Sequence, residues 1–463
     1  MSNEANDLGQ DVNRTPSDLF RKYDIPAPRY TSYPTVPYWT DSPSTEEWMN
    51  SVKNAFSKPK MSWAVYIHVP FCESLCTFCG CNTSITKDHK REDPYIELLH
   101  KEWNLYLQSV PEMLERPLLQ FHLGGGSPTF LSAQSLNRLL QPMLAQVVRD
   151  PEHFEGAIEV DPRRTKRDQL EVLRELGFTR VSMGVQDFTP EVQRLVNRHQ
   201  PREMTENLTR IARELGYSSI NFDLIYGLPK QTEKSIREMA EVTVELRPDR
   251  IALYSFAKVP WIKPQQRLFK DEDLPVGEEK RHLYEVSREI LLNAGYREIG
   301  MDHFALPDDS LSLSEQKGTL HRNFMGYADR RTDVLLGLGV SSISETPDCF
   351  HQNEKVLPVY DRRVSNGEIP TLRGHKLTAE DQRQREAILQ FMTRGELDLQ
   401  SEDQEVDLRE FLRELCEDGL VKIADHKLTL TERGRPFLRN ACMGLDLRLR
   451  SSAPQTKVFS QSL

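Results

Sequence analysis

Cys72, Cys76 and Cys79 stand in a C-x3-C-x2-C run directly after His68-Val69-Pro70. Three thiolates this close can hold three irons of a 4Fe-4S cube, whereas structural zinc takes four ligands in paired C-x2-C or Cys/His sets. Three ligands leave one iron open, and an open metal position is a place where a substrate or cofactor binds. The competing reading is a structural zinc site with Cys81 as fourth ligand; Cys81 lies only two residues beyond Cys79, an awkward spacing for one tetrahedral ion. The chain has seven cysteines, and the remaining three, Cys349, Cys416 and Cys442, are isolated. A secreted disulfide framework would spread them differently, so the cluster reads as metal chemistry in a reducing compartment.

Other residues suit a ligand-binding rim. Gly124-Gly125-Gly126-Ser127 lacks Cβ atoms over three positions, which lets backbone N–H and C=O groups approach a ligand; a tight turn is the equal alternative. Glu159, Gln186, Arg198 and Asp223 lie on or beside apolar runs, where an unpaired charge is costly. They read as ligand contacts or as an ion-pair network in a barrel mouth. His68, His122, His303 and His321 could be ligands, but a buried, hydrogen-bonded histidine is the commoner outcome.

The elements that must position these residues follow a strand-then-helix rhythm. Runs at 63–69, 118–123, 157–160, 180–185, 219–225 and 250–256 are short and β-branched or aromatic. Helical stretches lie between them, at Pro94 to Val110 with Asp93 as N-cap, and at 168–176, 202–215 and 232–246. Six such β-α units in a row argue for parallel strands with crossover helices. That is short of the number that closes a barrel, so the expected fold is α/β, a partial (β/α)6 TIM-like barrel. Ligand-binding loops of such a fold lie at the carboxyl ends of the strands. The cysteine loop follows the first strand, the glycine run the second, Gln186 the fourth and Ala257 the sixth, while Glu159 and Asp223 are expected to end the third and fifth.

At 463 residues the chain suits two or three domains of about 150 residues, or one large domain with an appendage. Residues 1–22 are polar and are expected to form a mobile arm. Residues 23–60 combine an extended strap, whose PAPRYTSYPTVPYW holds four prolines and four aromatics, with a helix from Ser44 to Phe56. The barrel is assigned to 61–370 and a mostly helical C-terminal domain with a small hairpin to 371–463. Tyr30, Tyr33, Tyr38 and Trp39 of the strap would form a lid over a flat apolar ligand or pack under the barrel.

Lys+Arg 60 against Asp+Glu 70 gives a net charge of -10. Nothing in that balance attracts nucleic acid or anionic lipid, so an anionic ligand must meet a local basic pocket. No apolar run approaches the ~18 residues of a membrane span, and the N-terminus has no charged-then-apolar leader. The expected location is the cytoplasm, without nucleic-acid or membrane partners.

The C-x3-C-x2-C run with Phe78 between its last cysteines resembles the radical S-adenosylmethionine superfamily. Tyr66-x-His68-x-Pro70-Phe71-Cys72 through Cys79-Gly80-Cys81-Asn82 is similar to the oxygen-independent coproporphyrinogen III oxidase family, including the extra cysteine after glycine. PRYTSYPT, FHLGGGSPTF, IEVDPR, SMGVQDF, VQRLVNR, DLIYGLPKQT, GMDHFA and HRNFMGY also look like that family, so the resemblance runs from about Asp24 to the C-terminus. It implies a 4Fe-4S cluster held by Cys72, Cys76 and Cys79, with S-adenosylmethionine, as two molecules, bound by Tyr66, Phe78, Gly125, Gly126, Ser127, Glu159, Gln186, Arg198, Asp223, Ala257, Phe324 and Ile343. Ser127 stands where threonine is common in the family, and keeps the hydroxyl. The resemblance does not divide these contacts between two sites, and it implies an undefined role for Cys81.

The implied reaction is anaerobic decarboxylation of two propionates of coproporphyrinogen III to vinyl groups by a 5′-deoxyadenosyl radical, giving protoporphyrinogen IX in heme biosynthesis. It needs a low-potential electron donor and an electron acceptor, neither named by the sequence, and the chain is expected to act as a monomer. Propionates call for arginine or lysine; Arg29 in the strap is the candidate, with Arg21 and Lys22 behind it. Two rivals stand beside this reading. A heme-binding or heme-trafficking relative would carry phenylalanine at the place of Cys81 and lack much of the strap, and a zinc-stabilised interaction protein would hold no iron.

Overall fold

The structure is a computed structural model and describes residues 16–452, 454 and 458–462. Six strands form the parallel barrel wall: β1 (Trp63–Val69), β2 (Leu118–Gly125), β3 (Glu155–Val160), β4 (Phe178–Gln186), β5 (Ser219–Tyr226) and β6 (Arg250–Ser255). They are hydrogen-bonded in chain order, all parallel. β1 is a near-continuous apolar run because its strand is covered on both faces. Helices Ala133–Gln146, Arg167–Glu175, Arg202–Glu214 and Glu233–Leu246 pack outside the wall, and the largest apolar core fills the space between the wall and these helices.

The wall is longer than the six repeats. Among the described residues the sheet has twelve strands. Val334–Leu338 adds a further parallel strand beside β1, and Ile343–Thr346, Cys349–Asn353 and Thr371–Lys376 continue it antiparallel. His303–Ala305 and Arg297–Ile299 extend the other edge beyond β6, also antiparallel. The barrel is open, since its two edge strands do not pair.

Several local expectations change. The helix expected from Pro94 begins at Glu92 and is preceded by a 3-10 turn at His89–Arg91, so Asp93 is inside the first turn and is not its cap. Pro94 remains in that turn, where its missing N–H costs nothing. Ser44 does cap the helix Thr45–Phe56, in a reciprocal box with Glu47. The strand Thr371–Lys376 belongs to the main sheet, so the barrel unit extends past residue 370, and the C-terminal helical unit opens at Ala379–Arg394. That unit carries a three-stranded sheet, whose hairpin Val421–Ala424/Lys427–Leu430 turns through Asp425 and His426, both at positive φ.

Residues 1–15 of the expected arm lie outside the described residues, but Pro16–Tyr23 is helical. Leu19 is buried, and Phe20 stacks on Phe437 of the C-terminal unit at 5.6 Å. The strap goes to the same place: Tyr30 and Tyr33 join the C-terminal apolar cluster and do not pack under the barrel. Arg439 holds it there, donating to Ala27 O, to Pro28 O at 3.0 Å and to Gln461 O at 2.8 Å. Trp39 instead stacks on Phe350 of the main sheet. Among the described residues no helix is long and apolar enough to cross a membrane.

Candidate active site

The cysteine loop leaves β1 at Pro70 and is framed by a two-residue parallel pair, Phe71–Cys72 with Ser84–Ile85. Its backbone is tied down from three sides. Thr77 N donates to Val196 O at 3.0 Å and Asn197 Nδ2 to Leu75 O at 2.7 Å. From the loop after β6, Lys263 Nζ donates to Cys81 O, Gln265 Nε2 to Cys79 O and Gln266 Nε2 to Phe78 O, at 2.8, 3.0 and 3.0 Å. From β1 itself, His68 Nε2 donates to Asn82 O at 2.9 Å, leaving Nδ1 to accept from Tyr66 OH at 3.2 Å.

The glycine run at the end of β2 passes directly beneath this loop. Gly126 N donates to Val69 O and Ser127 N to Phe71 O, at 2.8 and 2.9 Å. Gly125 has φ +115°, and a Cβ there would lie 2.7 Å from His68 Cε1, while a Cβ at Gly126 would lie 2.7 Å from the Pro70 carbonyl. Only glycine permits both approaches.

A cavity of about 190 Å3 opens between the cysteine loop and the strand ends. Cys72, Cys76, Cys79, Cys81 and Phe78 line one side; Gly125, Gly126, Ser127, Glu159, Gln186, Arg198 and Asp223 line the other. Twelve of the residues singled out in the sequence therefore meet in one place. Tyr66 does not line this cavity but lies next to it on the inner face of the wall, near Glu159 and stacked on His122 at 5.7 Å. The fold does not bring the others here: Ala257 lines a separate cavity with Lys258 and Lys280, Phe324 and Ile343 pack with Trp39 and Phe350, and Arg29 faces Asp302 at 4.0 Å beside a third cavity. Asp223 also departs from expectation, because β5 continues to Tyr226 and places it inside the strand.

Around the sulfurs, burial and hydrogen-bond donors pull in opposite directions. Arg163 Nη2 and Arg198 Nη1 each donate to Cys76 Sγ at 3.5 Å, and Asp161 braces both guanidiniums. Burial pushes the Cys72 thiol up to about 12, whereas the hydrogen bond from Cys81 draws the Cys79 thiol down. Among the described residues no three His, Cys, Asp or Glu side chains converge on one metal ion; the thiols instead ring the cavity mouth. Burial opposes charge on Glu159, but His122 Nε2 and Gly125 N, each at 3.2 Å, hold its carboxyl below the usual range. Burial, with the Glu159 charge nearby, raises the Asp223 carboxyl to about 6. Gln186 sits at φ +70°, a strained backbone of the kind concentrated at binding sites.

Two polar atoms on the cavity wall have no partner: Ser127 Oγ and Arg198 Nε, both buried. Buried polar groups are ordinarily satisfied, so these fit a ligand with acceptors of its own. Sequence reasoning missed Asp161 and Arg163 as site residues. Their signal was available: both follow β3 at the same rim, two and four residues after Glu159. Lys263, Gln265 and Gln266 carried no signal, because their carbonyl partners are more than 180 residues away.

Comparison with known proteins places this arrangement. The Radical SAM superfamily pattern matches residues 66–243. The chain is 39% identical over 444 residues to the oxygen-independent coproporphyrinogen III oxidase of Escherichia coli (strain K12), covering 94% of this chain and 96% of that one. It is 38% identical to the protein of that name from Pseudomonas aeruginosa, over 95% and 97% of the two chains, and 35% to that of Synechocystis, over 96% and 98%. A solved structure of coproporphyrinogen III oxidase from Escherichia coli, described as a radical SAM enzyme, superposes with a TM-score of 0.86 at 39% identity, covering 91% of this chain and 98% of that one. By full-length similarity and by fold, this chain belongs to the oxygen-independent coproporphyrinogen III oxidase family of radical SAM enzymes.

Proposed function

We propose that Cys72, Cys76 and Cys79 ligate the 4Fe-4S cluster that the family implies, and that S-adenosylmethionine lies in the same cavity against Gly125, Gly126, Ser127, Glu159, Gln186, Arg198 and Asp223. The observation that carries this reading is the pair of buried, unpartnered atoms, Ser127 Oγ and Arg198 Nε, on the wall of a cavity that Cys72, Cys76 and Cys79 also line. When bound, cluster and S-adenosylmethionine together supply a 5′-deoxyadenosyl radical able to take hydrogen from an unactivated carbon. The enzyme is an oxygen-independent coproporphyrinogen III oxidase. It converts two propionates of coproporphyrinogen III to vinyl groups, each conversion releasing carbon dioxide and passing an electron to an acceptor.

The chain's own residues prepare that site. Arg163 and Arg198 set their guanidinium N–H groups against the Cys76 sulfur. Glu159, held ionised by His122 and Gly125 N, offers acceptor oxygens to ammonium or hydroxyl groups. Phe78 packs with Phe256 and Phe269, and with Gln266 keeps the cysteine loop closed over the cavity. A second S-adenosylmethionine, with Ala257, Phe324 and Ile343 among its contacts, belongs to the same reading, as do a cytoplasmic location, a monomeric state and the external electron donor. A heme-trafficking relative without oxidase activity is disfavoured by the names of the full-length relatives.

The test is an anaerobic turnover of reconstituted protein with reductant, S-adenosylmethionine and coproporphyrinogen III, quantifying porphyrins and 5′-deoxyadenosine together, with Cys76→Ser as control. Protoporphyrin and deoxyadenosine are expected only from the intact site. Deoxyadenosine without decarboxylated product refutes the substrate, and neither product from cluster-loaded protein refutes the reaction.

A further inference from the structure

The hairpin His321–Asn323/Gly326–Ala328 lies outside the main sheet and pairs Arg322 with Tyr327. Tyr327 enters a cavity of about 250 Å3 within the curve of the wall, alongside Tyr254, His303 and Asp223. Asp223 and Glu159 line this cavity and the cysteine cavity alike, so the two adjoin. Arg322 stacks its guanidinium over the Tyr327 ring at 4.5 Å. The residue is only 6% exposed, yet its Nε and Nη1 have no hydrogen-bond partner.

A buried guanidinium with idle donors is expensive unless something completes it. Asp302 feels the charge of Arg322, but its carboxylate is committed elsewhere: His303 Nδ1 lies 2.7 Å from it and Arg29 Nη1 4.0 Å. Burial works against that charge, but His303, Arg322 and Arg29 outweigh it and keep Asp302 ionised. Asp302 thus answers to two guanidiniums: Arg29, which lines a neighbouring cavity with it, and Arg322, which stacks on the cavity residue Tyr327 and keeps its idle donors. The ligand this suits is a planar anion with paired acceptors, and a carboxylate matches the guanidinium fork.

We propose that Arg322, with Arg29, binds a substrate propionate that is not undergoing conversion, and so orients the macrocycle towards the cysteine cavity. This rests on the substrate assigned above. The probe is coproporphyrin III, the oxidised and unreactive form, titrated by fluorescence into cluster-loaded Arg322→Gln, Arg322→Lys and Arg29→Gln proteins. Loss of a charge-assisted bidentate contact is expected to raise the Kd of Arg322→Gln about ten- to hundredfold. The Kd for S-adenosylmethionine, the iron content and the Kd for the porphyrin's tetramethyl ester are expected to be unchanged. Arg322→Lys keeps the charge without the fork and is expected to be intermediate; it decides the matter if the glutamine variant fails to fold. An unchanged porphyrin Kd, an equal loss for the ester, or a loss confined to S-adenosylmethionine overturns the clamp. Wild-type protein that neither binds the porphyrin nor turns over instead refutes the substrate assignment itself.

Discussion

Gly125→Ala is the sharpest test of how the site is built. The substitution adds one carbon, and the structure fixes where it goes: 2.7 Å from His68 Cε1 and 2.8 Å from Nδ1, on a backbone at φ +115°. Forcing an L side chain into that conformation costs about 1–3 kcal/mol, and overpacking against a ring that cannot recede costs about 1–3 kcal/mol more. His68 cannot recede freely, because Tyr66 OH and Asn82 O hold its two nitrogens. Relief must come by breaking the bond to Asn82, which loosens the cysteine loop, or by moving Gly125 N off Glu159. Gly419→Ala is the matched control, with φ +68° and nothing within 4 Å of the added carbon, so it carries conformational cost alone, about 1–2 kcal/mol. The assay is paired: iron per chain after anaerobic reconstitution, and the denaturant midpoint of each variant. Gly125→Ala is expected to lose most of its iron and about 2–6 kcal/mol of stability, and Gly419→Ala to keep its iron. If the two variants match in midpoint and both fill with iron, the argument that the His68–Gly125 approach holds the site is wrong.

Three further outcomes follow from named contacts. Ser127→Ala removes a buried hydroxyl that has no partner in the free protein, so stability is expected to hold or rise while the Kd for S-adenosylmethionine increases about three- to tenfold; calorimetric titration showing equal affinity would discard Ser127 as a contact. Cys76→Ser is expected to prevent cluster assembly, whereas Cys349→Ser, buried in the strand Cys349–Asn353, is expected to leave iron content unchanged by metal analysis. Glu102 is fully buried and accepts from Gly339 N, Asn353 Nδ2 and Tyr360 OH at 2.8, 2.6 and 2.6 Å, and burial raises its carboxyl from 4.5 to about 7. In that window the folded chain binds more protons than the unfolded one, so this group's stabilisation is full below about 4.5 and is lost as pH rises through about 7, to the extent of about 3 kcal/mol. Denaturation of wild type and Glu102→Gln at pH 5 and pH 8 checks the sign: a stability difference between the two proteins that does not change with pH refutes it.

Much of the site was legible along the chain. The cysteine triplet and the glycine run are local spacings, and each strand carries its rim residue with it, so the six-strand register brought Glu159, Gln186 and Asp223 to one mouth. Chain-local signals also indicated the helix from Ser44 to Phe56 and a small hairpin in the C-terminal unit. The signals failed where a short element drew its stability from neighbours. Val334–Leu338 was not read as a strand, since VLLGL reveals its place only once it lies parallel to β1. The helix Pro16–Tyr23 was read as a mobile arm, because its apolar face has meaning only against Phe437 and the C-terminal unit.

By itself, then, the sequence determined the chemistry: three closely spaced thiols, a glycine cradle and parallel β-α units, all set by covalent spacing and side-chain period. Tertiary structure alone decided the company those groups keep. Arg163 and Arg198 reach Cys76 across 87 and 122 residues, the strap belongs to the C-terminal unit and not to the barrel, and Arg322 is buried with donors to spare. Contacts at such separations depend on strand order and on which charges burial leaves unpaired, and neither quantity is encoded in any local stretch of chain.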